Sequence, residues 1–425
     1  MIQKGCFPKK WAFICLSNLF IASILGVIMR YKINFPLKII DQSNVLHAHS
    51  HFVFEGWITL VLYCAFVRFL LPESLREKKT YVWQFWLQYI SALGMLFTFF
   101  FQGYAPLSIG FSAMSQFLFY WFTIQFIIDI RKPEVSIAPI VKWFAISALI
   151  AGILSSLGTY ALAYVASTGN GSPLFKRGSV YYYLHFQYNG WFSFGVFTLF
   201  FNWIIENKRM GFPRKSLRWI FALFTIGLIP GYCLSLIGYV KAFWVHGWSF
   251  FAVATQVIAL IILTKEIIVN RKNVGIRLSM IEKVLWGIAF LSFFTKTVLQ
   301  GLSLHPDLAI IAFSLRPLVI GYLHLIFICM ISFFLFGFLF HHAQLKYAHS
   351  KLAKWGLLLF VISSIMNEFG LFLQAAGFYF TFHFPHIPLY LYYITIIMSI
   401  SLLLFCLGQL KKDTELNLKH SEERI

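Results

Sequence analysis

The chain has 425 residues, 59% of them hydrophobic and only 12% charged, with a mean hydropathy of +0.75. Such values exclude an ordinary soluble globular protein and make lipid the main solvent. The formal net charge of +20 is spread in short basic clusters between apolar runs, which argues against a nucleic-acid partner and for membrane topology signals.

Apolar stretches long enough to cross roughly 30 Å of hydrocarbon run at residues 11–30, 50–71, 83–103, 108–129, 141–165, 180–205, 217–238, 245–268, 281–302, 318–340, 352–377 and 387–409. The expected fold is therefore all-α: a polytopic membrane protein, one integral domain over residues 1–425, built as a bundle of about 12 transmembrane helices. The first stretch has a basic start, but it is too long for a signal peptide and lacks a small-residue cleavage site before Arg30, so a retained span is expected. Of the 35 Lys and Arg residues, 27 fall at the termini or at the connections after even-numbered spans; the other eight are Arg30, Lys32, Lys38, Lys176, Arg177, Lys241, Lys296 and Arg316. The positive-inside rule then places both termini in the cytoplasm, with a bacterial inner membrane as the expected location. The outer connections near residues 31–49, 166–179 and 303–317 are short, so any chemistry must sit in the bundle.

The six cysteines, Cys6, Cys15, Cys64, Cys233, Cys329 and Cys406, lie in or beside apolar segments. There is no CxxC pair and no CxxCH site, so free thiols are expected and covalently attached haem is not. Walker-type loops, HExxH and EF-hand patterns are also missing, which leaves hydrolase readings without support.

The histidines share one side of the predicted topology. His51 opens span two in "NVLHAHSHFVFEGW", just after His47 and His49; His185 opens span six in "YYLHFQYNGW"; His246 opens span eight in "FWVHGWSF"; His324 lies early in span ten in "GYLHLIFICM". Polar groups inside the hydrocarbon are costly, roughly 2.5 kcal/mol or more for charged types, and usually face the bundle interior. A single such histidine is as readily explained by a hydrogen bond between helices. Four at one level point instead to metal or haem ligation, because neutral imidazole ligates iron or copper through one nitrogen and two rings from facing helices can clamp a flat macrocycle. "HFVFEGW" at 51–57 and "HFQYNGW" at 185–191 match in His, Phe, Gly and Trp, a short candidate repeat. Position i+4 of each carries a polar group on the histidine's face, Glu55 in one and Asn189 in the other, fit for a supporting partner or a proton carrier.

Twelve helices with histidines at the outer ends of spans two, six, eight and ten resemble subunit I of the haem–copper oxidases and nitric oxide reductases. "HSHFVFEGW" is similar to an H-x-H-x4-G-W stretch on the second helix of short, divergent members. The resemblance implies a haem of b type, with His51 (or His49, since the motif contains both) and His324 as its axial ligands. It also implies copper or non-haem iron as a second metal, with His185 and His246 where the copper ligands belong. Two departures stand out. Gly247 occupies the place of a second histidine after His246, and Tyr322 occupies the place of the ligand to a high-spin haem, so four of six family ligands are present. "HFVFEG" is also like the His-x3-Glu-Gly of nitric oxide reductases, which serves a non-haem metal from the sixth helix; here it lies on the second, where His47 or His49 could add ligands from the loop. By the same resemblance Glu55 would pass protons, Tyr322 would sit at the reaction centre, and Arg316 or Lys241 would meet haem propionates. Electrons would come from cytochrome c or a quinol on the outer side.

Lys296 and Glu368 are the other ionisable residues expected inside the bundle, while His305, His383 and His386 belong to outer loops and His349 and His420 to the inner side. Three functions compete: a reductase of O2 or NO, a non-catalytic haem or copper protein of nitrosative stress, and a transporter whose interior histidines carry protons.

Overall fold

The computed structural model describes residues 11–207, 211–346, 350–380 and 384–410. Every regular element among them is helical, as lipid demands of a chain that must satisfy its own backbone groups. In order, the long helices are α1 (Trp11–Asn34), α2 (Gln42–Leu70), α3 (Lys79–Gln102), α4 (Pro106–Ile130), α5 (Pro139–Thr168), α6 (173–206), α7 (Arg214–Leu228), α8 (Phe243–Val269), α9 (Met280–Leu302), α10 (Arg316–His341), α11 (Lys351–Tyr379) and α12 (Ile387–Leu410). Ten of these are long and apolar enough to cross a membrane and mark an integral membrane protein; α6 and α7 fall outside that set. The N-terminal part of α6 reads "KRGSVYYYLHFQYN", too polar for a plain span. Helix α7 has 15 residues before Pro230 turns the chain into a short 3₁₀ segment, Pro230–Ser235, because proline supplies no N–H for a continuing helix.

Helix α2 begins eight residues before the apolar stretch. Asp41 caps it, its side chain accepting from the backbone N–H of Ser43 and Asn44 at 2.8 and 3.0 Å, a standard N-cap arrangement. His47, His49 and His51 thus all ride on one helix, and none belongs to a loop.

Consecutive helices pack side by side, and α12 packs back on α1, which closes a ring. Helices α2, α6 and α10, every fourth in order, also meet one another at the centre. Trp57 of α2 donates to Ser332 of α10 at 2.8 Å, and Trp191 of α6 donates to Thr59 of α2 at 3.3 Å. Phe54, Phe192 and Phe327, one from each helix, pack mutually with ring centroids 4.7 to 6.2 Å apart.

Each central helix widens into a π-helical stretch at this meeting point: Val53–Thr59, Phe186–Phe192 and Leu325–Ser332. A hydroxyl closes each one. Ser193 and Ser332 donate to the carbonyls of Tyr188 and Phe327, five residues back, at 2.6 and 2.7 Å, where an ordinary helix offers the carbonyl three or four back. Thr59 occupies the equivalent place on α2 and accepts from Trp191.

Candidate functional site

A histidine stands just before every π-helical stretch: His51 before Val53, His185 before Phe186 and His324 before Leu325. Single wide turns of this kind concentrate at functional sites.

On α2 the spacing H-x-H-x-H divides the three rings between two faces, since residues two apart point about 200° from one another and residues four apart share a face. His47 and His51 turn toward α3. The His51 ring stacks on Phe99, centroids 4.5 Å apart with 4° between planes, and His47 meets Tyr104 edge-on at 4.6 Å. Gly103, at φ +61°, makes the turn that brings Tyr104 there; a Cβ on it would strike Asn44 Oδ1 at 2.4 Å.

His49 faces the other way, toward α1. Its Nδ1 lies 2.8 Å from the Ala22 carbonyl, and since a carbonyl only accepts, Nδ1 carries the proton and the Nε2 lone pair is free. His324 of α10 comes close enough that the charges of His49 and Arg30 act on it, and its Nδ1 is buried without a hydrogen-bond partner. Both residues are partly buried, on the two most enclosed of the ten apolar helices. Around them stand Arg30 of α1, buried near the C-terminal end of its helix, and Glu368 of α11, near enough for their charges to interact. Asn367 donates to Glu368 Oε1 at 3.1 Å, while Glu368 Oε2 and Asn367 Oδ1 have no partner. One side of the bundle thus gathers two imidazoles, a guanidinium, a carboxyl and an amide, several with hydrogen-bonding capacity unused.

The remaining sites predicted from sequence do not join this group. His185 uses both nitrogens: Nε2 donates to the Leu228 carbonyl at 2.7 Å, near where Pro230 ends α7, and Nδ1 accepts from Asn189 at 3.1 Å. His246 is half-buried at the N-terminal end of α8 and bonds back to Ala242 at 3.3 Å. Tyr322, two residues before His324, points toward α6 and meets the ring of Tyr188 edge-on, centroids 6.3 Å apart. Among the described residues no group of three or more His, Cys, Asp or Glu side chains is placed to hold a metal ion. Lys241 and Arg316 are exposed, as are His305 and His386; Lys296 is buried and donates to Gln300 at 3.2 Å. At the C-terminal end of α10 His341 lies between Trp203, which donates to Nε2 at 2.9 Å, and Glu282. His349, His383 and His420 fall outside the described residues. The five described cysteines are free and buried.

Glu55, one turn beyond His51, forms part of a second polar group. Gln88 of α3 donates to it at 2.8 Å and to Ser115 of α4 at 2.7 Å. A narrow polar cavity next to them is lined by His51, Glu55, Gln116, Ser155 and Gln187.

Sequence reasoning missed Arg30, Asn367 and Gln88. Arg30 carried a readable signal, a basic residue at the wrong end of span one for the positive-inside rule, and Gln88 belongs to a stripe of polar residues at helical spacing in "YVWQFWLQYIS". No protein-family model matches the chain, and no curated protein matches it either.

Proposed function

We propose that the chain is a haem protein of the membrane, with twelve spans and both termini in the cytoplasm, in which His49 and His324 would hold a b-type haem. The observation that carries this is the pair itself. Two imidazoles from enclosed helices face one side of the bundle, one presenting a free Nε2 and the other an unpartnered Nδ1. The donor set fits the group: two imidazoles for iron and the buried Arg30 as a counter-charge for a propionate. His49 takes the role in preference to His51, whose ring is stacked on Phe99. The Ala22 carbonyl orients His49 and fixes its tautomer, a common support for a ligating histidine.

Held by these two residues, a haem would supply one-electron transfer. This favours an electron carrier over a reductase of O2 or NO, since His185, with both nitrogens engaged, and the distant His246 make no second centre. The electron donor would be a cytochrome c or a quinol on the outer side. Resemblance to the oxidase subunit then extends to its arrangement of helices and its first haem.

A pyridine haemochrome and an iron and copper count on the detergent-purified protein test the proposal. We expect about one b-type haem and no copper per chain, in line with a single pair of axial ligands. A preparation that binds no haem when supplied with it removes the reading and returns the chain to the transporter class.

A further inference from the structure

Helices α8 and α9 touch at one end and part toward the other. A Cβ on Gly301 of α9 would lie 3.8 Å from the Val253 side chain of α8, whereas one on Gly287 would meet nothing within 4 Å. The two glycines share a face of α9, about four turns apart. Between the helices runs an apolar groove of about 640 Å³, walled by Val257, Ile261 and Ile268 of α8 and by Phe294 and Val298 of α9. Its two threonines turn their hydroxyls back on their own helices: Thr264 donates to the Leu260 carbonyl at 2.7 Å and Thr297 to that of Phe293 at 3.0 Å. From Val257 to Val269, both of which line it, the groove is about 18 Å long. That is close to the depth of one leaflet in a hydrocarbon core of roughly 30 Å, so a single acyl chain matches both its length and its lining.

Charge at one end sets this groove apart from an ordinary cleft between lipid-facing helices. Lys265 lines it and is exposed, one turn before α8 ends. A cation on a lipid-facing wall is costly unless something answers it, and its stem can lie along the apolar surface while the ammonium reaches the polar boundary. Arg271 donates back to the carbonyl of Ile268, a wall residue, at 3.5 Å. Lys283 lies about three turns from Phe294 on the same face of α9.

Residues 265–283 hold five exposed cations, Lys265, Arg271, Lys272, Arg277 and Lys283, against two carboxylates. Both carboxylates are buried and already engaged. Glu266 accepts from Ser216 of α7 at 2.7 Å; Glu282 accepts from the Ser279 backbone at 2.7 Å and pairs with His341 at 3.6 Å. Among the described residues none of the five cations forms an ion pair.

We propose that this groove binds one anionic phospholipid, with an acyl chain between α8 and α9 and the phosphate held by Lys265 together with Arg271 and Lys283. Basic pockets between membrane helices select anionic head groups in this way. A second copy of the chain, at a formal net charge of +20, is a poor match for the same basic end. The inference depends neither on the haem nor on which side of the membrane that end faces.

Native mass spectrometry of the full chain in detergent, titrated with palmitoyl-oleoyl phosphatidylglycerol or with phosphatidylcholine of the same chains, tests this. One phosphatidylglycerol should bind at least about fivefold more tightly than phosphatidylcholine, the scale of one basic residue acting on an anionic lipid. Lys265→Gln combined with Lys283→Gln should erase that preference. Val298→Trp, which fills the groove, should weaken both lipids, and Arg131→Gln, at an exposed cation just after α4, should change neither. The lysine variant alters only exposed positions and carries the test should Val298→Trp fail to fold. Equal affinity for the two lipids overturns the proposal, as does a preference that survives the double lysine variant. Competition by free glycerol 3-phosphate would make the site one for a soluble anion, and dimers dispersed by Val298→Trp would make it an interface between copies; either result overturns it as well.

Discussion

His49 and His51 are two residues apart, yet they belong to different parts of the molecule: one turns to Ala22 and His324, the other to Phe99 and the Glu55 cavity. The helical period makes that division readable in "HAHSH" once all three are known to lie on a helix. What hid it was the start of α2, because polar "DQSN" reads as loop by hydropathy although Asp41 is an N-cap. Histidines stand out against lipid-like sequence, so four were found without a structure, but which nitrogen of each is free depends on carbonyls distant in sequence, such as Leu228 for His185. That pairing gives a prediction. Replacing Asn189 by Ala leaves His185 Nδ1 unpaired inside the bundle and should cost about 1–3 kcal/mol, measured as a lower midpoint of thermal denaturation in detergent, with haem content unchanged.

At the scale of elements, the π-helical stretches are the feature no periodicity announced. They arise where tryptophans, phenylalanines and hydroxyls of three helices converge, a tertiary effect that local propensity does not encode. Ser332 donates to Phe327 and accepts from Trp57, so Ser332→Ala loses both bonds and should destabilise by about 1–3 kcal/mol. The α11–α12 pair rests on another device: a Cβ at Gly356 would lie 2.5 Å from the Phe405 amide nitrogen, and one at Gly408 would lie 2.4 Å from that of Ala353. Small residues let helices approach closely where no hydrophobic effect drives them together. Gly356→Val or Gly408→Val must push the backbones apart, and each should lower the yield of folded protein in size-exclusion chromatography, at a cost of about 1–3 kcal/mol or more. The expected spans matched ten of the long helices closely, and α6 and α7 fell short for the polar and proline-containing sequence they carry.

For the whole molecule, the ring of helices around α2, α6 and α10 sorts two polar regions onto opposite flanks of α2, with His49, His324, Arg30 and Glu368 on one and Glu55 with its polar cavity on the other. The charge asymmetry predicts the orientation of both. On that prediction a membrane-impermeant maleimide on intact cells should label Ile39→Cys and spare Ile276→Cys, both of them exposed positions; the reverse pattern would invert the topology. The most direct test of the central claim is low-temperature electron paramagnetic resonance of the oxidised, haem-loaded protein. The account predicts a low-spin ferric signal of bis-imidazole type that is lost or turned high-spin in His49→Ala and in His324→Ala and is retained in His51→Ala. A signal that survives both substitutions, or vanishes only in His51→Ala, would contradict it.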